Sequence, residues 1–258
     1  MIEIIPLAAL GDHNNYIWLL KNSTSNHIAI VDPGEAGPLL KKIAAENLIP
    51  IAILITHRHW DHVDGVEEIT EKYDIPVYTP KTESVKGSTH PVGEGDVVVL
   101  DELDLTLNIM DVPGHTSGAV TYYADGMVFS GDTLFAAGCG RMFEGTPPQM
   151  HSSLSKFKNL PDDTLLYCGH EYTVANLQFA NAVEPGNELI QKRLIEAKEL
   201  RNNGQPTVPT TLEFEKQTNP FLRCEIESVI EAASRHSGKN LSVPHEVFAA
   251  VRQWKDNF

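Results

Sequence analysis

The chain has 258 residues, 41% hydrophobic and 21% charged, with a formal net charge of −15 at pH 7. That length supports one large domain or two modest ones around a buried core, and so acidic a chain is a poor partner for nucleic acid or an anionic membrane. No apolar run approaches the roughly 18 residues a bilayer span needs, and three cysteines without a CxxC pair predict a reducing, cytoplasmic setting without disulfides.

The opening MIEIIPLAAL lacks the basic flank of a signal peptide and reads as a first strand. YIWLLKN, HIAIVD, IAILIT, PVYT, DVVVL, LDLTLNIMDV, AVTYYA, MVFSGD and TLLYCGH read as further strands. Helical patterns lie between some of them. PLLKKIAAENL brings Leu39, Leu40, Ile43 and Leu48 near one face, DGVEEITEKY follows, and PQMHSSLSKFKNL begins at Pro-Pro with a stripe of Leu154, Phe157 and Leu160. So many strands with few long helices predict two packed sheets with helices outside.

After His170 the pattern turns helical: YTVANLQFANAVEP, GNELIQKRLIEAKELRNNG, EIESVIEAASRH and PHEVFAAVRQWKDNF. Between the second and third of these lies QPTVPTTLEFEKQTNPF, a Pro/Thr-rich stretch expected to be irregular. The change places a domain boundary near residue 173, giving a sheet-rich domain over 1–173 and a helical one over 174–258. Nearly all of the negative charge precedes that boundary, where bound cations would offset part of it.

One segment concentrates the chemistry. THRHWDHVDG follows the apolar run Ile51–Ile55 and holds His57, His59, Asp61 and His62. In an extended turn His57 and His59 point the same way, while Asp61 and His62 fall where the chain enters the next helix. One short loop thus offers two imidazoles to one metal and a carboxylate with an imidazole to another. Three further apolar strands end at glycine followed by a ligand-type residue: His115 in VPGHTSG, Asp132 in FSGDTLF and His170 in LYCGHEYT. Alone, each is at home as a structural histidine or a capping carboxylate; together with the H-x-H-x-D-H loop they predict a two-metal site. His13, His27, His90, His151, His236 and His245 lack such context and are expected at the surface or at helix ends.

The motifs VDPG, THRHWDHVDG, VPGHTSG, FSGDTLFAAGCGRMFEGT, CGHEYT and the terminal VRQWKD, in this order, resemble the metallo-β-lactamase superfamily and, within it, the hydroxyacylglutathione hydrolase (glyoxalase II) family. The resemblance implies an αββα sandwich of two packed mixed β-sheets with outer helices, plus a C-terminal helical domain. It implies that His57, His59 and His115 hold one divalent metal and Asp61, His62 and His170 a second, with Asp132 bridging. The metals would be zinc, with iron or manganese also suited to such donors. Asp32 of VDPG would orient the ligand loop by hydrogen bonding; a plain Pro-Gly turn explains it as well.

The same resemblance implies a glutathione thioester substrate, S-D-lactoylglutathione, hydrolysed by water activated between the metals. Arg141, Phe143, Tyr172, Arg252 and Lys255 match substrate-contacting positions, and Asp61 and Asp132 double as catalytic groups. Arg252 and Lys255, three residues apart, share a helix face and suit a ligand carboxylate. Phe143 departs from the family's frequent tyrosine and cannot donate a hydroxyl. Trp60 fills a position where histidine is frequent. The chain is expected to act as a monomer. A glutathione-persulfide dioxygenase with one iron is the alternative on the same scaffold. A closed metal-storage site is disfavoured because the donors come from several loops.

Overall fold

A parallel strand buried on both faces needs a nearly continuous apolar run, and IPIAIL supplies one. In the computed structural model, which describes residues 2–11 and 14–258, this run is β4 (Ile49–Leu54). It lies inside a six-stranded mixed sheet. On one side of β4, β1 (Ile2–Ala9), β2 (Asn15–Asn22) and β3 (His27–Val31) form an antiparallel meander, with β3 parallel to β4. On the other, β5 (Val77–Pro80) and β6 (His90–Val92) continue in parallel.

Alternation along these strands assigns the two faces. Ile17, Leu19, Ile28, Ile30 and Ile53 cluster with Leu39 and Ile43 of α1 (Ala36–Glu46) and with Val66 and Ile69 of α3 (Val66–Thr70). Trp18, Leu20, Ala29 and Val31, pointing the other way, are equally buried, so a second layer must cover them. Antiparallel β7 (Val97–Leu100), β8 (Leu105–Asp111), β9 (Val120–Ala124) and β10 (Met127–Gly131) provide it. The Tyr122 hydroxyl donates to Ile55 O at 2.9 Å and Val120 N to Thr56 O at 2.9 Å, pinning β9 where β4 ends. The ligand-bearing segment thus leaves β4 at a point fixed by both layers.

These elements form the first of two compact units, the chain up to Val112 together with Thr116–Gly131; the second is Pro113–His115 with Asp132–Phe258. The second unit opens with a short hairpin, β11 (Leu134–Phe135) and β12 (Gly138–Cys139). Helix α4 (Pro147–Phe157) follows, begun by the predicted Pro-Pro and by Gln149 Oε1 accepting from Thr146 N at 3.0 Å. Then come β13 (Leu165–Cys168), α5 (Thr173–Val183), α6 (Glu188–Asn202), β14 (Thr210–Thr211) paired with β13, α7 (Leu212–Thr218), α8 (Glu227–Ser237) and α9 (Pro244–Asp256). Its helices pack through Leu177, Ala180, Ile190 and Ala197, and through Phe179, Phe221, Phe248 and Trp254.

The stretch expected to be irregular contains α7, and the reason is a buried carboxylate. Glu215, fully buried, accepts from Arg193 Nη2 at 2.8 Å, Ala137 N at 2.7 Å and Asn219 Nδ2 at 3.0 Å. Asn219 Nδ2 also donates to Gly138 O at 2.9 Å. A buried charge persists only when its lone pairs are satisfied, and here its partners brace the β11–β12 turn, six residues beyond Asp132. Tertiary contacts, not local propensity, make that segment helical.

Candidate metal centre and substrate site

In the first unit the chain leaves β4 through Thr56 and runs extended to His59 before α2 (Trp60–Val63). Asp32 organises this departure. Its Oδ1 accepts from Thr56 N at 2.8 Å, and its Oδ2 from the Thr56 hydroxyl at 2.6 Å and from His62 Nδ1 at 3.0 Å. With Nδ1 as donor, His62 Nε2 carries the lone pair, the tautomer a metal ligand needs. Asp32 takes φ +51°, a backbone that aspartate tolerates better than most residues. Two residues on, a Cβ on Gly34 would overlap the Asp61 carbonyl. VDPG is therefore both a turn and the anchor of the ligand loop.

His57 Nε2 and His59 Nδ1 lie 3.2 Å apart, and the rings of His57 and His62 are centred 4.2 Å apart. His57 and His62 are buried, His59 and Asp61 partly so. Asn15 Nδ2 donates to Asp61 O and Asp61 Oδ2, both at 3.0 Å, and Asp61 Oδ2 is 3.7 Å from His62 Nε2. His57 lies beside both His59 and His62, and Asp61 beside His62. Trp60, between them, is half exposed.

In the second unit three buried groups meet. Asp132 Oδ2 is 3.1 Å from His170 Nε2 and 3.5 Å from His115 Nε2. His115 Nδ1 lies 2.8 Å from Arg141 O; donating there, it leaves Nε2 as the acceptor facing Asp132. Gly131 takes φ +51°, and a Cβ on it would overlap the Thr56 hydroxyl, so glycine is required just before Asp132. One carboxylate oxygen between two imidazole nitrogens is the donor chemistry of a divalent-cation ligand set.

The positions matched to substrate contacts all lie in this second unit. The Tyr172 ring stacks on His170 at 4.6 Å and 4°, and Phe143, 65% exposed, sets its edge against His115 at 5.3 Å. Arg141 is exposed, 3.6 Å from Asp256 Oδ1. Arg252 is 4% exposed; it donates to Cys139 O at 2.9 Å and Asp256 Oδ1 at 3.0 Å and lies over Phe221. Lys255 donates to Ala175 O at 3.1 Å and lies over Phe179 and Phe258. Burial, then the Arg252 charge, holds its ammonium down to about 8. Arg252 and Lys255 share a helix face as expected, but only Lys255 and Arg141 retain exposure.

Burial pushes the thiol of Cys139 up to about 11 and that of Cys168 up to about 12, and raises Cys224 as well. All three are unbridged and neutral at physiological pH, so none is an activated nucleophile. His27, His90, His151, His236 and His245 are not buried, and His13 lies outside the described residues. Asn15 on Asp61 and Glu83, whose carboxylate reaches the ligand loop from after β5, escape a reading of the motifs, because single polar residues outside any motif carry no local signal. Among the described residues no helix is long and apolar enough to cross a membrane.

Comparison with known proteins agrees with this geometry. Residues 10–170 match the metallo-beta-lactamase superfamily model, and residues 171–258 match the hydroxyacylglutathione hydrolase C-terminus model. A protein of Alkalilimnicola ehrlichii named hydroxyacylglutathione hydrolase is 50% identical, with 99% of each chain covered. One of that name from Nitrosomonas europaea is 47% identical over 100% of this chain and 97% of its own. Among solved structures, TTHA1623 in a di-iron-bound form superposes with a TM-score of 0.60 and 26% identity, covering 84% of this chain and 100% of its own. The fold is the metallo-β-lactamase fold followed by a C-terminal helical region.

Proposed function

Since the chain belongs to the metallo-β-lactamase superfamily and to its hydroxyacylglutathione hydrolases, we propose that it hydrolyses S-D-lactoylglutathione, and related 2-hydroxyacyl-glutathiones, to the hydroxy acid and glutathione. This reaction closes the detoxification of methylglyoxal. The observation that carries the reading is the Asp132 carboxylate set between His115 and His170 in a chain that also carries the His57–His62 loop. His57, His59 and His115 would hold one divalent cation, and Asp61, His62 and His170 the other, with Asp132 shared. Zinc suits these donors best, with iron or manganese as substitutes.

Bound there, the cations supply Lewis acidity and an activated water; the chain supplies everything else. Asp32 fixes the His62 tautomer, and Asn15 fixes the Asp61 carboxylate. Asp61 and Asp132 are the groups able to hold a proton beside the reacting carbonyl. Tyr172 and Phe143 set their rings against the imidazoles of His170 and His115 and would contact the thioester there. Lys255 and Arg141 are cations for the glutathione carboxylates. Arg252, whose Nε has no hydrogen-bond partner among the described residues, sets the helix that presents Lys255, while Arg141 lies on the loop after β12. In this reading residues 1–173 carry the chemistry, residues 174–258 hold the substrate together with Arg141, Phe143 and Tyr172, and the enzyme works as a cytoplasmic monomer.

The test follows loss of the thioester absorbance of S-D-lactoylglutathione with and without chelator, with metal quantified in the same sample. Chelator-sensitive hydrolysis with two metals per chain is expected. Oxygen uptake with glutathione persulfide and a single iron would replace the reading with the dioxygenase.

A further inference from the structure

We propose that Glu83 is a positioning residue for the metal-ligand loop, acting as a carboxylate brace between two backbone segments; the inference rests on the two-metal reading above. Glu83 follows β5, in Lys81-Thr82-Glu83-Ser84, and is 9% exposed. Its Oε2 accepts from Arg58 N at 2.6 Å and its Oε1 from Gly118 N at 3.1 Å. Arg58 separates His57 from His59, and Gly118 ends the segment His115-Thr116-Ser117-Gly118. One carboxylate therefore fixes the backbone between two ligand histidines and a turn three residues past a third.

The chemistry of the contact selects a carboxylate. Hydrogen bonds from backbone N–H to an ionised acceptor are about twice as strong as neutral ones, and only an acceptor pair without a donor satisfies two N–H groups at once. The turn is shaped to meet it. A Cβ on Gly118 would overlap the Thr82 hydroxyl and come within 2.6 Å of Glu83 Cγ, so glycine at 118 is what lets the backbone reach Oε1. Without the brace, the Thr56–His59 backbone keeps its ties at Thr56, to Asp32 and Val120, and at His59, whose carbonyl accepts from His62 N at 2.9 Å, but Arg58 N loses its bond to Glu83. The His57 and His59 rings then lose the mutual orientation that a shared cation requires.

Glu83→Gln is the variant of choice: it keeps volume but sets an amide N–H against one of the two backbone donors. Zinc titrated into metal-depleted protein against a competing chromophoric chelator should bind roughly tenfold or more weakly, the scale of losing a group that orients a ligand. At saturating zinc the KM for the thioester should stay at the wild-type value while kcat falls. Glu68→Gln makes the same charge change on an exposed carboxylate paired with Lys72 and should leave zinc affinity untouched. Should Glu83→Gln fail to fold, Gly118→Ala, which pushes the Gly118 N–H off Oε1, carries the same expected loss. Wild-type zinc affinity in the folded variant, with only its melting temperature lowered, would overturn the brace. A wild-type protein that binds no metal and cleaves no thioester would instead sink the functional reading beneath it.

Discussion

The two units furnish their functional side chains under different mechanical regimes. In the first, every segment of the ligand loop is held by a buried acceptor or donor aimed at it: Asp32 on Thr56 and His62, Glu83 on Arg58, Asn15 on Asp61. In the second, Asp132 and its two histidines are buried, but Phe143, Tyr172, Arg141 and Lys255 are exposed or half-buried. Metal ligation demands close placement of its donors, whereas a flexible thiol-peptide substrate would need its aromatic and cationic partners accessible at the surface. Under the proposed function, the side chains assigned to the cation are the more buried and those assigned to the substrate the more exposed.

The contrast is broken most severely at Asp132. Asp132→Ala removes the oxygen that lies between His115 and His170, and His59→Ala removes one of the paired imidazoles of the loop. Each should abolish hydrolysis and lower bound metal below two per chain, measured by elemental analysis of the purified variant. Retained turnover with reduced metal would show that one cation suffices.

Next in size is Asp32→Asn, which leaves the metal-facing atoms in place. The amide oxygen can face Thr56 N or the Thr56 hydroxyl and His62 Nδ1, but not both sides, so either the loop backbone or the His62 ring meets an N–H in place of an acceptor. Metal affinity should fall by about 10- to 100-fold, and stability by about 1–3 kcal/mol for the unsatisfied buried group, read from chelator titration and denaturant melts. Unchanged affinity would reduce VDPG to a turn.

Which of these features the chain announces follows from how local they are. The H-x-H-x-D-H loop and the strand–glycine–ligand repeats are local, because the candidate ligand and the residue that shapes the backbone are adjacent; His57, His59, Asp61, His62, His115, Asp132 and His170 are the proposed ligands read from them. The layered sheets were legible because β2, β4 and β8 are long apolar runs. β6, β11, β12 and β14, two or three residues each, are too short for any periodicity to register. Helix α7 was hidden because Glu215 and Asn219 are polar residues whose burial depends on Arg193 and the β11–β12 turn. Asn15 and Glu83 were hidden for the same reason: each acts on a residue dozens of positions away, and only the folded chain brings them together.

The smallest expected effect lies at Lys255, where the more exposed side of the comparison can be titrated. Its ammonium is held down to about 8 by burial and by Arg252, with Arg141 adding to the shift and Asp256 opposing it; the Cys139 thiol beside them is itself pushed up to about 11 and stays neutral. If Lys255 meets the glutathione carboxylate as proposed, the free enzyme offers it a cation below about pH 8 and loses that cation above it. Because kcat/KM reports groups of the free enzyme, it should fall as pH rises through about 8. A bound carboxylate favours the charged form, so kcat should hold to higher pH. For folding the sign is reversed: the unfolded chain, with lysine at its ordinary 10.5, binds the proton more tightly between pH 8 and 10.5, so this group's contribution to stability grows with pH across that window. Lys255→Met should raise KM several-fold at pH 7, on the order of one exposed ionic contact of up to about 1 kcal/mol, leave kcat unchanged, and erase the step near pH 8. A step that persists in the Lys255→Met profile belongs to another group and removes Lys255 from the substrate site.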